Sequence, residues 1–97
     1  MSETLTIVAQ VRAKPGMGPL MLAEQKRLVS VTKAAAGCLR YELHVHNDDP
    51  STVTFVEEWE SAGAWQQHMQ SDHMDAFRAA AGHTIADFAL YQMHRLA

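Results

Sequence analysis

The stretch from Leu5 to Arg12 alternates strictly: Leu5, Ile7, Ala9 and Val11 point one way, Thr6, Val8, Gln10 and Arg12 the other. A two-residue period commits the segment to a β-strand with one buried face, because a helix would scatter the same residues around its axis. Lys14-Pro15-Gly16 then ends the strand, since Pro lacks the ladder donor and Gly admits a turn. From Met17 to Ala36 the period becomes helical, with Met17, Leu20, Met21, Leu28, Val31 and Ala35 predicted on one stripe and Glu24 its polar exception. Gly37 stands where a helix C-terminal glycine is expected. The two-residue period returns at Cys38 to His46, with Leu39, Tyr41, Leu43 and Val45 apolar and Cys38, Arg40, Glu42, His44 and His46 opposite. Asn47 to Ser51 is a turn by composition, and Thr52 to Glu60 completes an antiparallel hairpin. Ser61 and Ser71 are placed to cap helices over Ala62 to Met69 and Asp72 to Ala81, the second ended by Gly82. Ala86 to Arg95 reads as a last strand.

The order β-α-β-β-α-β predicts an α+β, ferredoxin-like fold: a four-stranded antiparallel sheet with helices on one face. The chain of 97 residues holds one such domain, residues 1–97. Its uncovered face would carry Val8, Val56, Ala89, Tyr91 and Met93, interrupted by Gln10, Arg40 and Glu58. That face is too apolar for water, so a homodimer through the open sheet face is expected. Eight Lys and Arg against eleven Asp and Glu give a formal net charge of −3, which provides no basic face for nucleic acid. No apolar run approaches the ~20 residues of a membrane span, and the opening Met-Ser-Glu-Thr lacks the basic start of a signal peptide. With the single Cys38 excluding an internal disulfide, a soluble cytoplasmic protein is expected.

Chemistry concentrates around Glu57. Val53, Phe55, Glu57 and Trp59 share one strand face, so the carboxylate sits among apolar groups and needs a partner or a raised pKa. A salt bridge or hydrogen bond to a helix would satisfy it. His68 lies in the helix expected over that face, and a carboxylate-oriented imidazole is the arrangement a general base requires. Trp59 reads as a pocket wall, Tyr41 and Phe77 as core with the Tyr41 hydroxyl a polar contact, and Trp65 either covers the helix or lines the mouth. His44 and His46 lie near Asp48 and Asp49, but no third ligand follows at a recognised spacing, so no metal site is expected. Cys38 reads as a small buried residue. Without a GxGxxG, Walker or flavin-phosphate glycine run, no built-in cofactor is expected either.

Four stretches carry a family likeness. They are Ile7-Val8-Ala9 through Ala13-Lys14-Pro15-Gly16, Gly37-Cys38-Leu39-Arg40-Tyr41-Glu42, Glu57-Glu58-Trp59-Glu60-Ser61, and His68-Met69-Gln70-Ser71-Asp72-His73 followed by Phe77. Together they resemble the antibiotic biosynthesis monooxygenase family of small dimeric α+β-barrel proteins, quinol monooxygenase-like members included. The likeness runs from about Thr6 to Phe77 and more weakly to Arg95; where the family often has an acidic-Pro pair before the glycine, this chain has Ala35-Ala36. The resemblance implies a cofactor-independent monooxygenase acting with O2 on a small electron-rich aromatic, a hydroquinone or an anthrone. His68, oriented by Glu57, would remove a proton, in a pocket formed by Phe55, Trp59 and Phe77 with His73 and Tyr41 also binding substrate. Relatives include a sugar-phosphate isomerase, so two other readings stay open. One is a proton-transfer isomerase using His68 and His73, with Lys26, Arg27 or Arg78 to meet a phosphate. The other is a non-catalytic dimeric binding protein. Haem degradation fits poorly, because Ala9 stands where those relatives have Asn.

Overall fold

In the computed structural model, which describes residues 4–97, β1 (Leu5–Ala13) buries Ile7, Ala9, Val11 and Ala13 and turns the residues between them to the other face. It is followed by α1 (Gly18–Thr32), β2 (Cys38–His46), β3 (Asp49–Trp59), α2 (Ala62–Met69), α3 (Asp72–Ala81), a single 3-10 turn at Gly82–Thr84, and β4 (Ile85–Met93). The strands form one antiparallel sheet in the order β2-β3-β1-β4. This is the ferredoxin-like arrangement, with the second helical region divided in two. Ile7, Tyr41, Val53, Phe55 and Trp59 face the helices and, with Met21 and Leu28 of α1 and Met74 of α3, form the core. Among the described residues no helix is long and apolar enough to cross a membrane.

The helix stripe differs from expectation. α1 ends at Thr32 and buries Met21, Gln25, Leu28 and Thr32, whereas Leu20 is 44% and Val31 47% exposed. Apolar residues at 20, 21, 22, 28, 29 and 31 support more than one stripe at helical spacing. Docking selects the one that brings Leu22 and Val29 against the core and places the two polar side chains inside. The hairpin turn is also tighter than composition suggests. It is the pair Asn47-Asp48, and β3 begins at Asp49 through a shift in register. The Asp49 carboxylate holds that segment by accepting from the Ser51 N–H at 3.0 Å and from the hydroxyls of Ser51 and Thr52 at 2.6 Å each. Pro50 lies beyond the last β1 pairing, at Thr52, so its missing donor costs that ladder nothing.

The two serine caps form as expected: the Ser61 hydroxyl accepts from Ala64 N–H and the Ser71 hydroxyl from Met74 N–H. The uncovered sheet face divides in two. Val8, Val56 and Ala89 are half-buried, while Tyr91 and Met93 are exposed. Along β2 the same face is ionic, with Arg40 donating to Glu42 at 2.9 Å and His44 3.0 Å from the same oxygen.

Gly37 terminates no helix, yet it carries a strict constraint. Its φ is +80°, and a Cβ built there would stand 2.5 Å from the Ala64 Cβ of α2. Gly37→Ala is expected to destabilise the fold by about 2–3 kcal/mol, combining the left-handed backbone with the overlap. Adding Ala64→Gly should recover the overlap part, less about 0.5–1 kcal/mol for a glycine inside α2. Urea midpoints of the three proteins test this; a Gly37→Ala protein as stable as the wild type would refute it.

Candidate active site

A cavity of about 650 Å³ opens between the helices and the sheet, within the range of small-molecule sites. It exists because the central strand contributes only a methyl group at Ala9, between Phe55 of β3 and Leu90 of β4. Leu28, Trp65, Met69, Met74, Phe77 and Phe88 add to an apolar lining. The polar groups on that lining are few: the Glu57 carboxyl, the Tyr41 phenol, the His68 ring, and Arg78 and Asp87 towards the mouth.

Glu57 is 5% exposed. Its Oε1 accepts the Trp59 indole N–H at 2.9 Å, which the two-residue strand period allows by placing both on one face. Burial raises its pKa from 4.5 to about 7, the Trp59 hydrogen bond acting in the opposite sense. Tyr41 stands across from Glu57 on β2, and burial together with the Glu57 charge pushes its phenol well above the ordinary value. Cys38 is raised for the same two reasons and remains a half-buried thiol.

His68 is 4% exposed in the last turn of α2. Its ring lies 4.7 Å from Trp59 and edge-on to Tyr41 at 5.5 Å. Burial lowers its pKa from 6.5 to about 4, with the nearby charges of His73 and Arg78 adding to the effect. The orienting carboxylate expected from the sequence is not its partner: among the described residues no hydrogen bond joins Glu57 and His68. Instead His68 Nδ1 lies 3.0 Å from His73 Nε2. The reason is local. Ser71 donates to the His68 carbonyl at 2.6 Å while capping α3, so the helix break turns the two rings towards each other, and Trp59 takes one oxygen of Glu57.

Thus Glu57, His68, Tyr41, Phe55 and Phe77 all line one cavity, whereas Trp59 is fully buried and, like His73, stands behind the lining. Trp65 lines the cavity. Met69, Met74 and Leu90 line it as well, and nothing in their sequence spacing distinguishes them from ordinary core. Of the cations considered for a phosphate, Arg78 reaches the cavity but donates to Asp75 and to the Met69 carbonyl, and Lys26 lies over a separate groove between α1 and β2. His44 is bound to Glu42 and His46 to Thr54. Among the described residues no cluster of three or more His, Cys, Asp or Glu could hold a metal ion.

The family model for antibiotic biosynthesis monooxygenases matches residues 4–80. The chain belongs to the antibiotic biosynthesis monooxygenase family. It is 27% identical over 86 residues to the probable quinol monooxygenase YgiN of Escherichia coli, covering 78% of this chain and 83% of that protein. The crystal structure of PA3566 from Pseudomonas aeruginosa superposes with a TM-score of 0.94 at 31% identity, covering 100% of this chain and 98% of that one. A crystal structure described as an antibiotic biosynthesis monooxygenase gives 0.87 at 28% identity, covering 96% and 99%. Membership of this family and these likenesses support a monooxygenase-like function.

The shifted groups make a signed stability prediction. Glu57 is held neutral by the fold, so its ionisation opposes folding: the penalty is absent below the unfolded value near 4.5 and complete above about 7. Glu57→Gln should therefore match the wild type at pH 4 and exceed it by about 2–3 kcal/mol at pH 8, since 2.5 pKa units are worth roughly 3 kcal/mol. His68 acts in the opposite direction: its depressed pKa costs stability as pH falls from 6.5 towards 4. Urea unfolding of both proteins from pH 4 to 8 checks this, and a constant difference would contradict it.

Proposed function

We propose that the chain is a cofactor-independent monooxygenase that hydroxylates a small electron-rich aromatic of the hydroquinone type with O2. The observation that carries this reading is the pairing of a carboxyl group poised near neutrality with a neutral imidazole on one apolar cavity, in a chain of this family.

Magnitudes choose the proton acceptor. A phenol of pKa about 10 passes its proton to a carboxylate of about 7 at a cost of roughly a thousandfold, but to an imidazole of about 4 at roughly a millionfold. Glu57 is therefore the base, and His68, the base expected from sequence, becomes its neutral neighbour. Transfer to Glu57 also moves a negative charge from carboxylate to quinolate and adds none to the cavity, which an apolar lining would otherwise oppose. The quinolate passes one electron to O2. The resulting semiquinone and superoxide combine at a ring carbon, and the peroxide takes the proton back from Glu57. Loss of water leaves a hydroxyquinone. One quinol and one O2 thus give one hydroxyquinone and one water, with every electron supplied by the substrate. Phe55, Phe77 and Trp65 would hold the ring and exclude water.

Oxygen uptake by purified, metal-free protein with a panel of hydroquinones is the test. Uptake above the no-protein background is expected, rising with pH through about 7 as Glu57 ionises and falling about 100-fold or more in Glu57→Gln. Uptake equal to background with every quinol would refute the reading.

The reading includes a second copy over the open sheet face, in the cytoplasm, where the free Cys38 suits a reducing environment. Tyr91, 55% exposed beside Val8, supports this, because an apolar patch of that kind favours a self-complementary contact. Sedimentation should give twice the chain mass for the wild type and the single-chain mass for Tyr91→Glu. A wild type sedimenting as a monomer would exclude the dimer.

A further inference from the structure

The contact between His68 Nδ1 and His73 Nε2 spans the break between α2 and α3, five residues apart. A neutral imidazole has one N–H and one lone pair, so one ring of the pair donates and the other accepts. The direction decides what His68 presents to the cavity: if its Nδ1 accepts, its Nε2 carries the proton, and if its Nδ1 donates, its Nε2 is a bare lone pair.

Three observations bear on the pair: the first on its charge, the second on its direction and the third on its spacing. The first is burial. His68 is 4% exposed and His73 half-buried, and burial, His73 and Arg78 all disfavour charge on His68. His68 therefore stays a neutral imidazole with one N–H and one lone pair. The second is the cavity itself. Glu57 uses one carboxylate oxygen on Trp59, and an N–H on the neighbouring wall is attracted to the carboxylate where a lone pair is repelled. The Tyr41 phenol, also on that wall, is held protonated and adds no charge. The third is rigidity. Ser71 ties the His68 carbonyl to the start of α3, so the backbone itself sets the spacing of the rings.

We propose that His73 donates from Nε2 to His68 Nδ1 and thereby holds His68 as a neutral imidazole that presents its only N–H to the cavity, a hydrogen-bond donor for the oxyanion of a bound quinolate. His73 is a positioning residue acting through His68. Neutrality is what makes the donor useful. An imidazolium would hand its proton to a quinolate and quench the electron-rich anion, whereas a neutral N–H stabilises the oxyanion without protonating it. The catalytic consequence rests on the oxygenase reading above; the tautomer does not.

The test compares His73→Lys, which can only donate, with His73→Glu, which when ionised can only accept. Nitrogen-15 spectra of the histidine rings report the tautomer, and oxygen uptake with a hydroquinone reports the consequence. His68 is expected to carry its proton on Nε2 in the wild type and in His73→Lys, and on Nδ1 in His73→Glu. With KM little changed, kcat should fall about 10-fold or more in His73→Glu and stay within about 3-fold in His73→Lys, as for loss of an oxyanion donor. A wild-type His68 protonated on Nδ1 overturns the proposal, and that spectrum decides even if a variant fails to fold. The same tautomer in both variants overturns it as well, and equal kcat despite opposite tautomers removes its catalytic part. If the tautomers follow expectation while wild-type uptake never exceeds background, the oxygenase reading fails and the tautomer assignment stands.

Discussion

Glu57 is a carboxyl group taken out of water with one hydrogen-bond donor, the Trp59 indole, and the behaviour of its surroundings follows from that exchange. The bond satisfies both partners at once. A fully buried indole N–H needs an acceptor, and on a strand the residue two positions back is the nearest side chain on the same face. One donor is too few to hold a carboxylate at its ordinary pKa, so the group rises towards neutrality. Its field reaches across the β2–β3 pairing, where it helps keep Tyr41 and Cys38 protonated. A single desolvated acid therefore leaves one side of the cavity composed of groups that hold protons.

The scaffold supports this at some cost to its own packing. Ala9 in the central strand leaves volume unfilled that a larger residue would occupy. Among the described residues Gln25 of α1 is fully buried with neither atom of its side-chain amide hydrogen-bonded. Unpaired polar groups of this kind weaken a fold by roughly 1–3 kcal/mol each. A chain of this size has little apolar area in reserve, and its uncovered sheet face, where Val8, Val56, Ala89, Tyr91 and Met93 lie among Gln10 and Glu58 and β2 is ionic, is where additional burial is available.

Much of this architecture is legible in the sequence because it depends on short-range periods. The alternation of β1 fixes which residues face the helices, and a serine before each short helix marks its start, so α2 and α3 begin and end where the sequence places them. What fails does so for a shared reason. The rotation of α1 is chosen by docking against β2 and α3, and several apolar residues at helical spacing leave it open locally. The hairpin turn is tightened by Asp49 reaching forward to Ser51 and Thr52, which composition cannot distinguish from an ordinary polar loop. The site shows the same limit. That Glu57 and His68 would line one cavity follows from strand face and helix order, but their hydrogen-bond partners do not. Trp59 competes for Glu57 from two residues away, and His73 reaches His68 only because Ser71 sets the angle between two helices.

That choice of partners separates two roles that a direct bond would have merged. A carboxylate and an imidazole in contact become an ion pair, each stabilising the charged form of the other, with the acid pulled below its ordinary value of 4.5 and the base pushed above 6.5. Here the order is inverted: the acid lies near 7 and the base near 4. Between those values both groups are neutral, and the inner wall carries no charge, with Arg78 and Asp87 towards the mouth. A cavity in that condition admits an apolar, uncharged substrate without displacing an ion pair, and it makes one negative charge available only as Glu57 ionises near neutral pH. Keeping His68 on His73 and Glu57 on Trp59 is therefore what allows a wall with two ionisable side chains to behave as an apolar one until a proton has to move.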